Sequence, residues 1–532
     1  MSAPARAIGV AGAGTMGAGI AQLACLSGAR TLLHDPVPEA LERGLAQIKR
    51  HLERGAARGR WTADEAAQAQ ERLHGAASLE DFRDCELVIE AAPERLELKR
   101  ELFSTLAGIV AEDCVLASNT SSLLVTAIAA EVPRPERVVG MHFFNPPALM
   151  ALLEVVAGTE SSPAALARAR ATGEAMGKRV IVAVDGPGFL VNRCNRPFGL
   201  EGLKLLQEQI APLEEIDRIC RMAGGFKMGP FELMDLVGVD VGFEISRSFY
   251  DQSFGEPRWR PSMIAARTVA AGHHGRKSGR GYYEYPAEGE YRAADPDGPP
   301  VGGGDGLIVI AGETPLALEL AELAGEAGWE VADPADAGEL QAPFLILDLS
   351  DGEGAEEPLQ GGPQAICCAA GSLAALDPAG GAVGFHALAP LRDARLVELT
   401  RGPDTAASAV TATERFFATL GKHTTWVGDA PGLVLGRIVC QVINEAAFAL
   451  GEGVGSAQDI DAGMVYGLAY PRGILSWADA IGLDHVLTVL DGLYEEYREE
   501  RYRAAPALRR LALAGRLGVQ TGRGFFDYEE AP

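Results

Sequence analysis

The sequence predicts two α/β domains, each followed by an all-α domain, with the second pair a degenerate copy of the first. Three observations lead there. A glycine-spaced turn joins an apolar run to a small-residue helix near the N-terminus. Strand signals then alternate with helical stretches, and a set of matching residues recurs 244 positions later. At 532 residues the chain is too long for a single core.

Composition narrows the function classes. The chain is 47% hydrophobic and 23% charged, ordinary for a globular protein. No apolar run reaches the roughly eighteen residues of a membrane span, so no membrane partner is expected. The opening MSAPARAIGVAGAG lacks a signal-peptide layout, which makes the cytoplasm the expected compartment. The eight cysteines form no CxxC pair and no cluster with histidine, so they read as reduced fillers and no metal is expected. A net charge of −26 speaks against nucleic acid and means that an anionic ligand needs a local basic patch.

The first element is the apolar run AIGVAG, residues 7–12, a strand. GAGTMGAGIAQLACLSG follows, with Gly12, Gly14 and Gly17 in GxGxxG spacing around Thr15 and Met16, and then a buried helix to Ala24. RTLLHDP is a second strand ending in Asp35. Gly12 permits the tight turn, Gly14 lets backbone approach a pyrophosphate, and Gly17 lets helix and strand pack closely. The helix N-terminus then faces the phosphates. Asp35 can accept hydrogen bonds from ribose hydroxyls and would repel a 2′-phosphate. A Rossmann-type domain binding NAD is the expectation, with these six residues at the cofactor.

Further strands are expected at CELVIEAA (85–92) and DCVLASN (113–119), after a helical insertion of about fifty residues. The insertion carries Lys49, Arg50, Arg54, Arg58 and Arg60, a candidate patch for a phosphorylated ligand or, alternatively, a solvated helix face. RVVGMHFFNP reads as a strand ending at Asn145-Pro146-Pro147, and LLEVV as its return, which could set His142 beside Glu154. A carboxylate beside an imidazole fixes its tautomer and stabilises the imidazolium. NTSSLL places Ser121 at an expected helix start, and DGPGFLVNR places Asn192 one turn into a helical region.

GAGTMGAGIAQ, VIEAAPERLELKRELF, SNTSS, GMHFFNPP, DGPGFLVNR, MGPFELMDLVG and GRKSGRGYYEY together resemble the L-3-hydroxyacyl-CoA dehydrogenase family over residues 5–286. The resemblance implies a catalytic group of His142, Glu154, Ser121 and Asn192, with Glu94, Lys99 and Asn119 along the cofactor and Ser121 and Asn192 toward an acyl-CoA substrate; Arg54, in the basic patch, is a further candidate for that substrate. It implies oxidation of a 3-hydroxyacyl-CoA to the 3-ketoacyl-CoA, with hydride passing to NAD⁺ and His142 as base.

The expected domains are a nucleotide-binding domain at 1–184, a helical domain at 185–286, a Pro/Gly-rich linker at 287–304, a degenerate α/β domain at 305–428 and a second helical domain at 429–532. GILSWADAIGLD echoes GPFELMDLVGVD, and His386 and Glu398 repeat His142 and Glu154, each 244 positions on, and TGRGFFDY (521–528) echoes SGRGYYEY (278–285). LIVIAGETPLAL keeps Gly312 but has Thr314 and Ala317 for the other glycines, with Pro315 in the turn. Gly371 and Gly436 stand where Ser121 and Asn192 stand in the first copy. The expectation is one site and one relic, with His386–Glu398 kept as packing or a hydrogen bond. The second helical domain is expected to supply in one chain the partner that single-copy family members find in a dimer, and a homodimer of the whole is also open.

The duplicated layout is similar to the dehydrogenases of bacterial phenylacetate breakdown, which makes 3-hydroxyadipyl-CoA the expected substrate. Arg196 and Lys227 are candidates for its distal carboxylate. A 3-hydroxybutyryl-CoA or general fatty-acyl dehydrogenase is the alternative, and a non-catalytic NAD-binding scaffold is a rival of another class.

Overall fold

The computed structural model describes residues 3–334, 342–350 and 361–528. It forms two compact units, residues 1–193 with 453–468 and residues 194–452 with 469–532.

The first unit is built on eight strands in the order β3-β2-β1-β4-β5-β6-β7-β8. They are β1 (Ala7–Ala11), β2 (Arg30–His34), β3 (Leu73–Gly75), β4 (Leu87–Glu90), β5 (Val115–Ser118), β6 (Val138–Phe143), β7 (Leu152–Ala157) and β8 (Arg179–Val184). All neighbours run parallel except β6 and β7, an antiparallel pair. The central strands are apolar and almost fully buried, as a sheet covered on both faces requires. The helices are α1 (Thr15–Leu26), α2 (Pro38–Ala57), α3 (Ala63–Arg72), α4 (Leu96–Ile109), α5 (Val125–Ala129) and α6 (Pro163–Ala175), with the short α7 (Val191–Cys194) at the edge of the unit. The insertion expected from sequence is the α2–α3 hairpin. It closes because Gly55 leaves room for Trp61, whose ring would lie 1.9 Å from a Cβ at that position.

The second unit begins with α8 (Arg196–Gln207), α9 (Leu213–Met222), α10 (Pro230–Val237), α11 (Val239–Gln252) and α12 (Met263–Ala270). Its seven strands are β9 (Leu307–Ala311), β10 (Glu330–Ala332), β11 (Leu345–Asp348), β12 (Gln364–Cys367), β13 (Val383–His386), β14 (Leu396–Arg401) and β15 (His423–Trp426), in the order β10-β9-β11-β12-β13-β14-β15. Here too one pair, β13 with β14, is antiparallel. Helix α8 packs along the helix Leu435–Gly451 of the second copy. At that contact the fully buried Arg437 donates to Glu201, Glu208 and Tyr502 at 3.0, 2.7 and 2.6 Å. These partners offset the cost of burying the guanidinium.

The linker expected at 287–304 is not a free tether. Arg221 grips Asp295 through two bonds of 2.7 Å, Tyr291 and Arg292 both donate to Glu232, and His423 meets the Asp297 carbonyl.

One helix sits outside its expected domain. The second-copy helix Ala457–Leu468 belongs to the first unit, where it covers β7 and β8. It comes close because its glycines lack side chains: a Cβ on Gly463 would lie 2.7 Å from Val191, and one on Gly467 2.7 Å from Leu152. Its first-copy counterpart α9 makes the reciprocal arrangement inside the second unit. Met222 accepts from the Arg395 amide, and Glu215 accepts from the Thr425 hydroxyl beside β14. Each copy's helix covers the other copy's sheet.

Candidate active site

In the first unit the loops after β1, β2, β4 and β5 open on the C-terminal edge of the parallel strands, where open α/β sheets hold ligands. Gly12 has φ +113°, and a Cβ there would meet the Ala91 carbonyl at 2.5 Å. A Cβ on Gly17 would lie 1.8 Å from the Gly12 carbonyl oxygen. Gly14 caps α1 with no side-chain hydrogen bond, and nothing lies within 4 Å of where its Cβ would be. The first turn of α1, with Thr15 and Met16, thus presents uncapped amides to open space, a cradle suited to the pyrophosphate of a dinucleotide. Asp35 accepts from the Ala13 amide at 2.8 Å and from Val37 at 3.0 Å, tying the end of β2 to the glycine turn.

The β4 and β5 loops are joined through Glu94. One of its oxygens accepts from the Thr120 and Ser122 hydroxyls at 2.6 and 2.9 Å and from the Ser121 and Ser122 amides at 3.0 Å. Burial alone would raise the Glu94 pKa, but Lys99 and these donors hold it below the ordinary carboxylate value. Lys99 is fully buried, with its ammonium 2.6 Å from Glu90 and 3.3 Å from Glu94. Ser121 does not start a helix: α5 begins at Val125, and Asp185 caps it by accepting from the Val125 and Thr126 amides. Asn119 accepts from the Phe143 amide at 2.9 Å, anchoring the end of β6.

His142 on β6 faces Glu154 on β7 in register. Its Nδ1 lies 2.6 Å from Glu154 Oε2, and the ring is flanked by Phe144 and Phe189. The second Glu154 oxygen accepts from the Leu190 and Val191 amides at 3.2 and 3.0 Å. One fully buried carboxylate therefore orients the imidazole and also holds the start of α7, which carries Asn192. Nε2 is left as the ring nitrogen able to take a proton. The five basic residues at 49–60 are all exposed on and just beyond α2. Among the described residues no cluster of three or more potential metal ligands occurs, and no helix is long and apolar enough to cross a membrane.

Residues 7–186 match the family model described as 3-hydroxyacyl-CoA dehydrogenase, NAD binding domain, and residues 188–285 and 432–528 match its C-terminal domain. The chain is 35% identical over 508 residues, 95% of its length and 97% of the relative, to the 3-hydroxyadipyl-CoA dehydrogenase of Escherichia coli K12. The chain belongs to the 3-hydroxyacyl-CoA dehydrogenase family. The crystal structure titled 3-hydroxybutyryl-CoA dehydrogenase from the same bacterium superimposes with a TM-score of 0.81 at 34% identity, covering 96% of this chain and 98% of that one. A probable 3-hydroxybutyryl-CoA dehydrogenase of Deinococcus radiodurans is 40% identical over 52% of this chain and 99% of its own. The dehydrogenase is NAD-dependent, and its glycine turn fits that cofactor.

The dehydrogenase's second copy keeps the fold of the site and not its contents. Thr314 caps the next helix (α13, Pro315–Glu326) itself, its hydroxyl accepting from the Ala317 amide at 3.2 Å where the first copy leaves amides open. His386 and Glu398 remain in register but do not bond to each other. Both Glu398 oxygens go to the Val434 and Leu435 amides at 2.7 and 2.9 Å. His386 Nδ1 has no partner, while its Nε2 lies 3.3 Å from His485. Burial pushes Glu398 up to about 8 and His386 well below its ordinary value. A Cβ on Gly436 would lie 2.2 Å from the His386 ring, so the ring fills the space a side chain there would need. The two residues persist by packing and by hydrogen bonds to other partners, not to each other. His386→Gln is therefore expected to leave kcat and KM within about twofold of wild type in steady-state assays, because the pair touches no reacting group.

Sequence reasoning passed over Glu90 and Asp185. Asp185 could have been found from the duplication, since Asp429 caps its own helix in the same way 244 residues later.

Proposed function

We propose that the enzyme oxidises 3-hydroxyadipyl-CoA to the 3-ketoacyl-CoA, using His142 as the base. The full-length relative named for that substrate supports this reading, together with a mostly buried cation, Arg196, suited to a distal carboxylate. His142 Nε2 takes the proton of the C3 hydroxyl, and Glu154 holds the ring through Nδ1 and stabilises the imidazolium. Ser121 and Asn192 orient the substrate oxygens, and Arg54 faces the CoA phosphates. The turn through Gly12, Gly14, Thr15, Met16 and Gly17, with Asp35, Glu94 and Asn119, holds the dinucleotide, and Lys99 supports Glu94 from below. Bound NAD⁺ supplies the hydride acceptor.

For the distal carboxylate, Arg196 is favoured over Lys227. Arg196 is mostly buried, stacked over Phe249 and bonded to Ser246, and among the described residues it meets no carboxylate, whereas Lys227 is exposed. Burial lowers the Arg196 pKa to about 10, so it stays cationic at neutral pH. The cytoplasm suits this reading, and all eight cysteines are buried with none in a disulfide.

The test is NADH absorbance with 3-hydroxyadipyl-, 3-hydroxybutyryl- and long-chain 3-hydroxyacyl-CoA. The highest kcat/KM is expected for the dicarboxylic substrate. A preference for 3-hydroxybutyryl-CoA would favour the second reading, which the full-length crystal structure and the first-half relatives of that name support.

A further inference from the structure

The catalytic pair sits on two strands joined by a loop, residues 144–151, and the loop is held from below. Lys178, just before β8, is 9% exposed. Its ammonium donates to the Pro147 carbonyl at 2.5 Å and the Met150 carbonyl at 2.6 Å. Among the described residues it has no carboxylate partner, and burial lowers its pKa to about 8. Burying a lysine against carbonyls alone is expensive unless the geometry it enforces is needed. The same loop touches the nucleotide-binding helix. Pro147 lies against Gly19 of α1, where a Cβ would come within 3.0 Å of the proline ring.

The second copy retains this clamp although its site is gone. Lys422 donates to the carbonyls of Leu391, Arg392 and Ala394 at 2.9, 2.8 and 2.5 Å. There the contact to the glycine-turn helix is made by Glu319, which accepts from the Leu391 and Arg392 amides at 2.6 and 2.8 Å. The device therefore has two copies in one molecule, only one of which lies under a working imidazole.

We propose that Lys178 is a positioning residue for the dehydrogenase reaction. It clamps the β6–β7 loop so that Pro147, seated on Gly19, sets the distance between the His142 imidazole and the helix that holds the dinucleotide. The proposal rests on His142 being the proton acceptor. It acts through geometry: misplacing the reacting groups by about 1 Å is enough to slow a reaction about a hundredfold.

The test compares Lys178→Met with Lys422→Met in the full chain, with Gly19→Ala as a second perturbation of the same contact. Lys178→Met is expected to lower kcat ten- to a hundredfold, with KM for NAD within threefold. It should also raise the kinetic isotope effect with substrate deuterated at C3, because hydride transfer becomes rate-limiting. Gly19→Ala should shift both quantities in the same direction. Lys422→Met should lower the melting temperature comparably while leaving kcat and the isotope effect unchanged. Equal loss of kcat in both lysine variants, or an unchanged isotope effect in Lys178→Met, would reduce the clamp to a stability element and overturn the proposal. An active His142→Gln enzyme would instead remove the premise, which separates the two failures.

Discussion

His142→Gln is expected to lower kcat by about 10²–10⁴, the range attributed to a single general base, while NAD affinity stays within about twofold. The separation follows from position. His142 lies near the end of β6 and contacts Glu154, Phe144 and Phe189, whereas the glycine turn lies three strands away, beyond β5 and β4, at the end of β1. Steady-state kinetics with titration of NAD by protein fluorescence measures both. Turnover close to wild type would show that the alcohol proton leaves by another route. Because Glu154 also anchors the Leu190 and Val191 amides, changing it would disturb α7 as well as the ring. The histidine substitution is the cleaner of the two.

Gly14→Thr is expected to abolish NAD binding without unfolding the protein. Gly14 has φ −67° and ψ −174°, close to the −68° and 154° of Thr314, so a threonine fits the backbone. Its Cβ would meet nothing within 4 Å. The hydroxyl should then cap α1 as Thr314 caps α13, placing side-chain atoms where the pyrophosphate needs open amides. A rise of at least about a hundredfold in the NAD dissociation constant is the outcome, with unfolding free energy within about 0.5 kcal/mol of wild type, since glycine and threonine differ little as N-caps. Calorimetric titration and denaturant unfolding read the two quantities. Unimpaired NAD binding would mean that the second copy lost its ligand for some other reason.

Much of the site could be read from sequence because its parts are local. The glycine spacing, the acid after β2, and a histidine and glutamate flanking one turn all depend on short-range backbone geometry. The pairing of β6 with β7 follows from the Asn-Pro-Pro turn between them. The duplication was readable because motifs in the later part of each copy recur at a nearly constant offset. What could not be read depends on long-range choices. Aligning the copies says nothing about which sheet the helix Ala457–Leu468 covers, and only the structure places it on β7 and β8. A proline- and glycine-rich stretch resembles a free linker whether or not Arg221 and Glu232 seize it. The placement of Ser121 in a loop, and the turning of both Glu398 oxygens toward backbone amides, are settled by tertiary hydrogen bonds that no local pattern encodes.

The exchanged helices make the second copy a structural part of the first. A stop codon shortly after residue 452 would leave every ligand-binding side chain of the N-terminal site intact. It would also strip away the helix that shields Val191 and Leu152, next to the histidine and its acid. The second half thus contributes part of the wall around the first half's sheet.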